Sequence, residues 1–270
     1  MLVATNAMRI EKSSNELDLI FKTPVYRFCI EINQKCNLNC SYCWNKNNFN
    51  NKEIDLKLTQ QFLQQIYQSY LLWNTPNIIP NISFYAAEPL LSPNIITNLI
   101  NYLPFRYTIL TNGTLLSNEM LKEWKANFPS IIFSLDGIKE NHNQYRNNSF
   151  DKILTNLYKV DYEFNSVAMT VNIKSLPYLY DSLCFFFTLP VSNFECQLNL
   201  LDNWSYNEFN QYINILKQFI NNYSTKSTLP EYSLAERFSN LKNAHNFISL
   251  KSLEINHQLN INQELIVTKP

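Results

Sequence analysis

Cys36, Cys40 and Cys43 fall within eight residues, in the run CNLNCSYC. Thiolates are soft ligands for iron and zinc, and three on one short loop can hold three irons of a cubane cluster. A complete protein set for a [4Fe–4S] cluster or a zinc ion needs four ligands. An iron without a protein ligand keeps a coordination site open for a substrate or cofactor. The competing reading is a structural zinc site, completed from elsewhere by His142 or His245. Cys29, Cys184 and Cys196 are scattered through strand-like and apolar helical stretches and are expected as small buried hydrophobes. A disulfide framework would instead be spaced along a small secreted chain.

The elements around these cysteines give the loop its place. Apolar residues alternate at Val25, Phe28 and Ile30, which predicts a strand over 25–32 ending just before Cys36. Beyond a polar stretch, Leu56, Leu58, Phe62, Leu63, Ile66, Tyr67 and Tyr70 recur at helical spacing, with Asp55 as the N-cap. The same alternation predicts strands over 81–86, 107–111, 131–136, 166–173 and 194–200. Helices follow from Pro93, Ser117 and Phe150, and over 176–187 and 206–220.

Six β–loop–α units imply an α/β fold with parallel strands, as either an open doubly wound sheet or a curved partial (β/α)6 barrel. Periodicity does not separate the two. In both, ligands bind where the strands end and the following loops gather. The cysteines follow strand one, AAEP follows strand two, TNG ends strand three and SLDG ends strand four.

The whole chain limits the alternatives. At 270 residues one main domain is the simpler organisation. Lys plus Arg and Asp plus Glu are equal at 22 each, so no basic footprint for nucleic acid or an anionic membrane surface exists. No stretch reaches the roughly 20 apolar residues that span a bilayer, and a soluble cytoplasmic protein is expected. Only 2 glycines occur, so Gly113 and Gly137, each just past a strand, should sit where no side chain is accepted.

Taken in order, these motifs resemble the radical S-adenosylmethionine (SAM) superfamily over residues 25–222. The spacing Cys-x3-Cys-x2-Cys with Tyr42 before the last cysteine is similar to its cluster signature. The resemblance implies a partial barrel, a [4Fe–4S] cluster on the three cysteines, and SAM chelating the open iron. It implies reductive cleavage of SAM to a 5′-deoxyadenosyl radical that abstracts hydrogen from a substrate. FYAAEPLL resembles the segment that binds the SAM amino group, making Ala86, Ala87 and Glu88 candidate contacts, with alanines where the family has two glycines. If either alanine needed positive φ, the cost would be on the order of 1 kcal/mol or more. An ordinary strand-ending turn would also account for this segment.

TILTNGTLLS resembles the family's third strand end, which makes Asn112 a candidate near the cofactor, although Asn-Gly alone means a tight turn. FSLDGIKENHNQYR is similar to the SLDG…H…R segment of peptide-modifying members such as the anaerobic sulfatase-maturing enzymes. It implies that Ser134 and Asp136 contact SAM and that Arg146 meets the SAM carboxylate with its planar fork. The alternative for Arg146 is a solvated helix charge.

The substrate implied by the family is a peptide or protein, with maturation of a ribosomally made peptide as the leading case. A reductant such as flavodoxin or ferredoxin, and a separate peptide-recognition protein, are the further partners. A small-molecule substrate, a glycyl-radical activase and a noncatalytic peptide-binding scaffold stay open. Asp202, just past strand six, is the catalytic candidate for a substrate-side proton acceptor. The expected organisation is an extension over 1–24, a core over 25–222, and a C-terminal extension over 223–270 that is a candidate remnant of an auxiliary domain. No cysteine follows Cys196, so relatives' C-terminal auxiliary clusters have no ligands here.

Overall fold

A computed structural model describes residues 27–72, 79–85 and 87–224. The chain groups into two compact units, residues 1–212 and 213–270. The first holds a six-stranded sheet formed by β1 (Arg27–Glu31), β2 (Asn81–Tyr85), β3 (Arg106–Thr111), β4 (Ser130–Ser134), β5 (Asn165–Val171) and β6 (Asn193–Leu198). Its helices are α1 (Leu56–Leu72), α2 (Pro93–Ile100), α3 (Asn118–Glu123), α4 (Lys139–Tyr145), α5 (Phe150–Leu157) and α6 (Leu176–Phe186), and α7 (Tyr206–Ser224) runs on into the second unit. In that second unit, Ile213–Ser224 is helical. Among the described residues no helix is long and apolar enough to cross a membrane.

All neighbouring strands pair in parallel in the order β1-β2-β3-β4-β5-β6. A doubly wound sheet would reverse direction at a switch point. Here each strand adds beside the last, and right-handed connections put every crossover helix on one face. That winding selects the partial barrel over the doubly wound sheet. The barrel is open, since β1 and β6 are the two ends of the order.

Strand residues alternate between two environments. One set, including Ile82, Phe84, Ile109, Ile131, Phe133 and Val167, is fully buried, and with Leu63, Ile66, Ile96, Leu99, Ile153 and Leu183 of the helices it forms the core. The other set lines the inner face, is half-buried to exposed, and is largely polar: Ser83, Thr108, Ser130, Ser134, Ser166 and Thr170 among them. Cys29 falls on this inner face because Phe28 and Ile30 take the helix side. Cys29, Cys184 and Cys196 are all half-buried rather than fully buried as expected.

The predicted caps form. Asp55 Oδ1 accepts the Leu58 N–H at 2.9 Å, and Ser117 Oγ accepts the Met120 N–H at 3.3 Å. One break was missed: α4 stands apart from α5 because Asn147 and Asn148 take φ of 51° and 52° between them. Asparagine tolerates this left-handed region better than most residues, so the pair breaks the helix. Both glycines occupy it too. A Cβ on Gly113 (φ 72°) would meet the Phe133 ring at 2.4 Å, and one on Gly137 (φ 80°) would meet Ser182 Oγ at 1.9 Å.

Candidate active site

The chain closes on itself on either side of the cysteines. Ile54 N–H donates to the Ile32 carbonyl at 3.1 Å, Gln34 N–H donates to Lys52 at 3.2 Å, and Asn33 and Glu53 form an antiparallel bridge. The segment between is thereby a loop fixed to the C-terminal end of β1. Cys36, Cys40 and Cys43 lie on it half-buried, as free thiols. Burial pushes the Cys36 thiol up to about 11, and Glu88, Cys40 and Cys43 add to the rise. Burial also raises Cys40, against the opposing positive charge of Arg146. The Cys36 and Cys40 thiols are therefore protonated at neutral pH in the metal-free chain, and a metal must displace those protons.

Three other strand ends tie this loop down. After β2, Glu88 is fully buried, and its main-chain N–H donates to the Lys35 carbonyl at 2.7 Å while its own carbonyl accepts from Asn33 Nδ2 at 3.0 Å. Its carboxylate accepts from Leu90 N–H (2.9 Å), Thr111 Oγ1 (2.6 Å) and Asn112 N–H (2.7 Å). Burial raises the Glu88 pKa and these three bonds oppose the rise. After β3, Asn112 Nδ2 donates to Asn37 Oδ1 at 2.9 Å and lies 3.9 Å from Cys36 Sγ. Asn37 also donates to Thr114 Oγ1 at 2.8 Å.

After β4, Asp136 is buried with no exposure and collects four donors. Arg146 Nε (2.7 Å) and the Tyr42 hydroxyl donate to Oδ2, while Arg146 Nη2 (3.2 Å) and the Thr170 N–H (2.9 Å) donate to Oδ1. The Arg146 guanidinium carbon stands 5.4 Å from the Tyr42 ring centroid. Ser41 N–H donates to the Tyr145 carbonyl at 3.0 Å, and the Tyr42 and Tyr145 rings lie 5.8 Å apart. Burial holds the Tyr42 phenol well above its ordinary pKa, so it stays a donor.

Glu88, Asn112, Asp136, Arg146 and Tyr42 are thus brought together around the cysteines. The fork of Arg146, assigned by resemblance to the SAM carboxylate, faces Asp136 here. Ser134 lies on the inner face at the end of β4. Ala87 is not among the residues of positive φ, so this alanine carries no left-handed strain, while Ala86 lies outside the described residues. Asp202 has a structural partner at each oxygen, Ile173 N–H at 2.8 Å and Asn199 Nδ2 at 3.0 Å, and braces the loop after β6 against the one after β5. Asn33 and Thr170 were missed. The first is a polar residue directly after an apolar strand, a weak signal, and the second acts through its main chain, which leaves none.

The zinc reading loses its described candidate. His142 Nδ1 accepts the Asp136 N–H at 3.1 Å and Nε2 meets Ser149 Oγ at 3.0 Å, so both ring nitrogens are engaged. His245 lies outside the described residues. Among the described residues, no three His, Cys, Asp or Glu side chains are gathered so as to hold one metal ion. Tetrahedral zinc at Zn–S about 2.3 Å draws its sulfurs to about 3.8 Å from one another. A cubane takes each thiolate on a separate iron, so three thiols on one closed loop, with no fourth ligand among the described residues, match the donor set of a cluster that keeps one iron open.

Fold and rim together define an open partial barrel with a loop of three cysteines fixed at the end of the first strand. The chain belongs to the radical SAM superfamily, whose family model matches residues 30–176. The superfamily uses a [4Fe–4S] cluster and SAM, and these are the cofactors of this chain.

A cysteine-type anaerobic sulfatase-maturating enzyme of Clostridium novyi is 30% identical over 158 residues, 49% of this chain and 41% of that one. The solved structure of native anSMEcpe with bound AdoMet and Cp18Cys peptide superposes with a TM-score of 0.60 at 19% identity, over 74% of this chain and 60% of that chain. Streptococcus suis SuiB bound to precursor peptide SuiA gives 0.59 at 12% identity, over 73% and 46%. The chain spans 61%, 41% and 44% of the length of three curated relatives it matches.

Proposed function

We propose that this chain is a radical SAM enzyme that modifies a peptide or protein, with Cys36, Cys40 and Cys43 holding the [4Fe–4S] cluster. When bound and reduced by one electron from a flavodoxin or ferredoxin, the cluster supplies reductive cleavage of SAM and, through it, hydrogen abstraction from the substrate. The observation that carries the reading is the convergence of three thiols with Glu88, Asn112 and Asp136, from four consecutive strand ends, on one rim. Asn112 donates toward Cys36 and holds Asn37, keeping the first cysteine oriented. Glu88 sets the entry of the loop through Lys35 and Asn33. The half-buried polar inner face below Ser134 suits a substrate with many hydrogen-bonding groups, as a peptide backbone has. Two structural neighbours were solved with a Cp18Cys peptide and with the precursor peptide SuiA, which supports the peptide class.

Anaerobically reconstituted protein given SAM and a reductant should form 5′-deoxyadenosine, and Cys40→Ala should lose both the cluster absorbance and the product. A cluster-loaded wild-type protein that yields only background 5′-deoxyadenosine would favour the noncatalytic scaffold instead.

A further inference from the structure

We infer that Arg146 is a positioning residue for the cysteine loop, acting through Asp136 and Tyr42, and is not itself the partner of the SAM carboxylate. The inference rests on the proposed use of that loop as the cluster site. Tyr42 lies between Cys40 and Cys43 in sequence, so whatever fixes its side chain fixes the span between two of the three thiols. Its hydroxyl is fixed by Asp136. An ionised carboxylate offers about four lone-pair sites, and Asp136 fills its own with Tyr42, the main-chain N–H of Thr170 and two nitrogens of Arg146.

Arg146 is 8% exposed and meets Asp136 side-on through Nε and Nη2, the paired geometry by which a guanidinium otherwise recognises a ligand carboxylate. The same guanidinium stands over the Tyr42 ring, so the cation touches the loop residue twice, once through the carboxylate and once through the ring face. One residue earlier, the Tyr145 carbonyl takes the Ser41 N–H. Residues 41–42 are therefore clamped to residues 145–146 by main chain, ion pair and ring together.

The test is a double-mutant cycle on the full chain with Tyr42→Phe and Arg146→Lys, both milder than truncation to alanine. Tyr42→Phe removes one hydroxyl and leaves the Asp136–Arg146 pair in place. Hydrogen exchange is followed at the amides of residues 36–44 and, as an internal control, in β3, before and after cluster loading, and SAM affinity is measured on the loaded protein. Each single variant should speed exchange in the loop about tenfold, the loss of a hydrogen bond to a charged group, with β3 unchanged. SAM affinity should fall by similar factors in both, and the double variant should be no worse than Arg146→Lys alone.

The inference is overturned if Tyr42→Phe binds SAM like the wild type while Arg146→Lys does not, or if the two losses multiply. Loop exchange in the metal-free chain does not depend on turnover. A protein that fails to cleave SAM therefore sinks the proposed function without deciding this result.

Discussion

His142 holds a ring that stays neutral because both of its nitrogens have fixed roles. Nδ1 accepts the Asp136 N–H, so the proton sits on Nε2 and is donated to Ser149 Oγ, which in turn donates to the Arg146 carbonyl at 2.6 Å. Burial lowers its pKa from 6.5 to about 4, with the positive charge of Arg146 adding to the fall and Asp136 opposing it. Above pH 6.5 folded and unfolded chains both carry the neutral ring and the stabilisation is whole. Between 6.5 and about 4 the unfolded chain takes the proton and the folded chain does not, so stability falls as pH drops. From pH 7 to pH 5 the loss from this residue is roughly 2 kcal/mol. Urea unfolding at the two pH values should give a smaller drop for His142→Asn than for the wild type, and equal drops would remove His142 as the source.

At the scale of the elements, the turn after β4 is the most constrained joint in the site. Gly137 follows Asp136 directly at φ 80°, and Ser182 Oγ from α6 fills the space a side chain would need while accepting the Ile138 N–H at 3.2 Å. Gly137→Ala should therefore cost about 2 kcal/mol or more, from left-handed strain plus displacement of α6. Because Asp136 moves with the turn, the cysteine loop should loosen as well. A thermal midpoint within about a degree of the wild type would contradict this close packing.

The turn was legible in the sequence because glycine is so scarce that its two positions stood out, and the strands were legible because apolar alternation survives the compositional bias. The one-way winding was not legible. It depends on which strand lies beside which, and periodicity carries no information on pairing. The separation of α4 from α5 was lost for a different reason, since Asn147 and Asn148 are two among many asparagines and gave no distinct signal. Asp136 and Arg146 stood out in the sequence as candidates for cofactor contacts, but their capture of each other depends on a ten-residue excursion through α4 that folds one onto the other.

The whole molecule has few thiols to distribute, and their positions fix how much iron it can carry. Six cysteines occur in 270 residues, none before Cys29 and none after Cys196. Cys29 is on β1, Cys184 on α6 and Cys196 on β6, the opposite end of the strand order from β1. A second [4Fe–4S] cluster needs several thiolates within reach of one cubane, and these three sit on elements that the fold holds apart. Reconstitution under anaerobic conditions should therefore reach about four irons and four sulfides per chain and stop there, the content of one such cluster. Replacing Cys29, Cys184 and Cys196 together by serine should leave that content unchanged, whereas replacing Cys36, Cys40 and Cys43 should abolish it. About eight irons per wild-type chain, or loss of iron from the first triple variant, would mean that the scattered cysteines are ligands and that the rim at the end of β1 does not hold the metal alone.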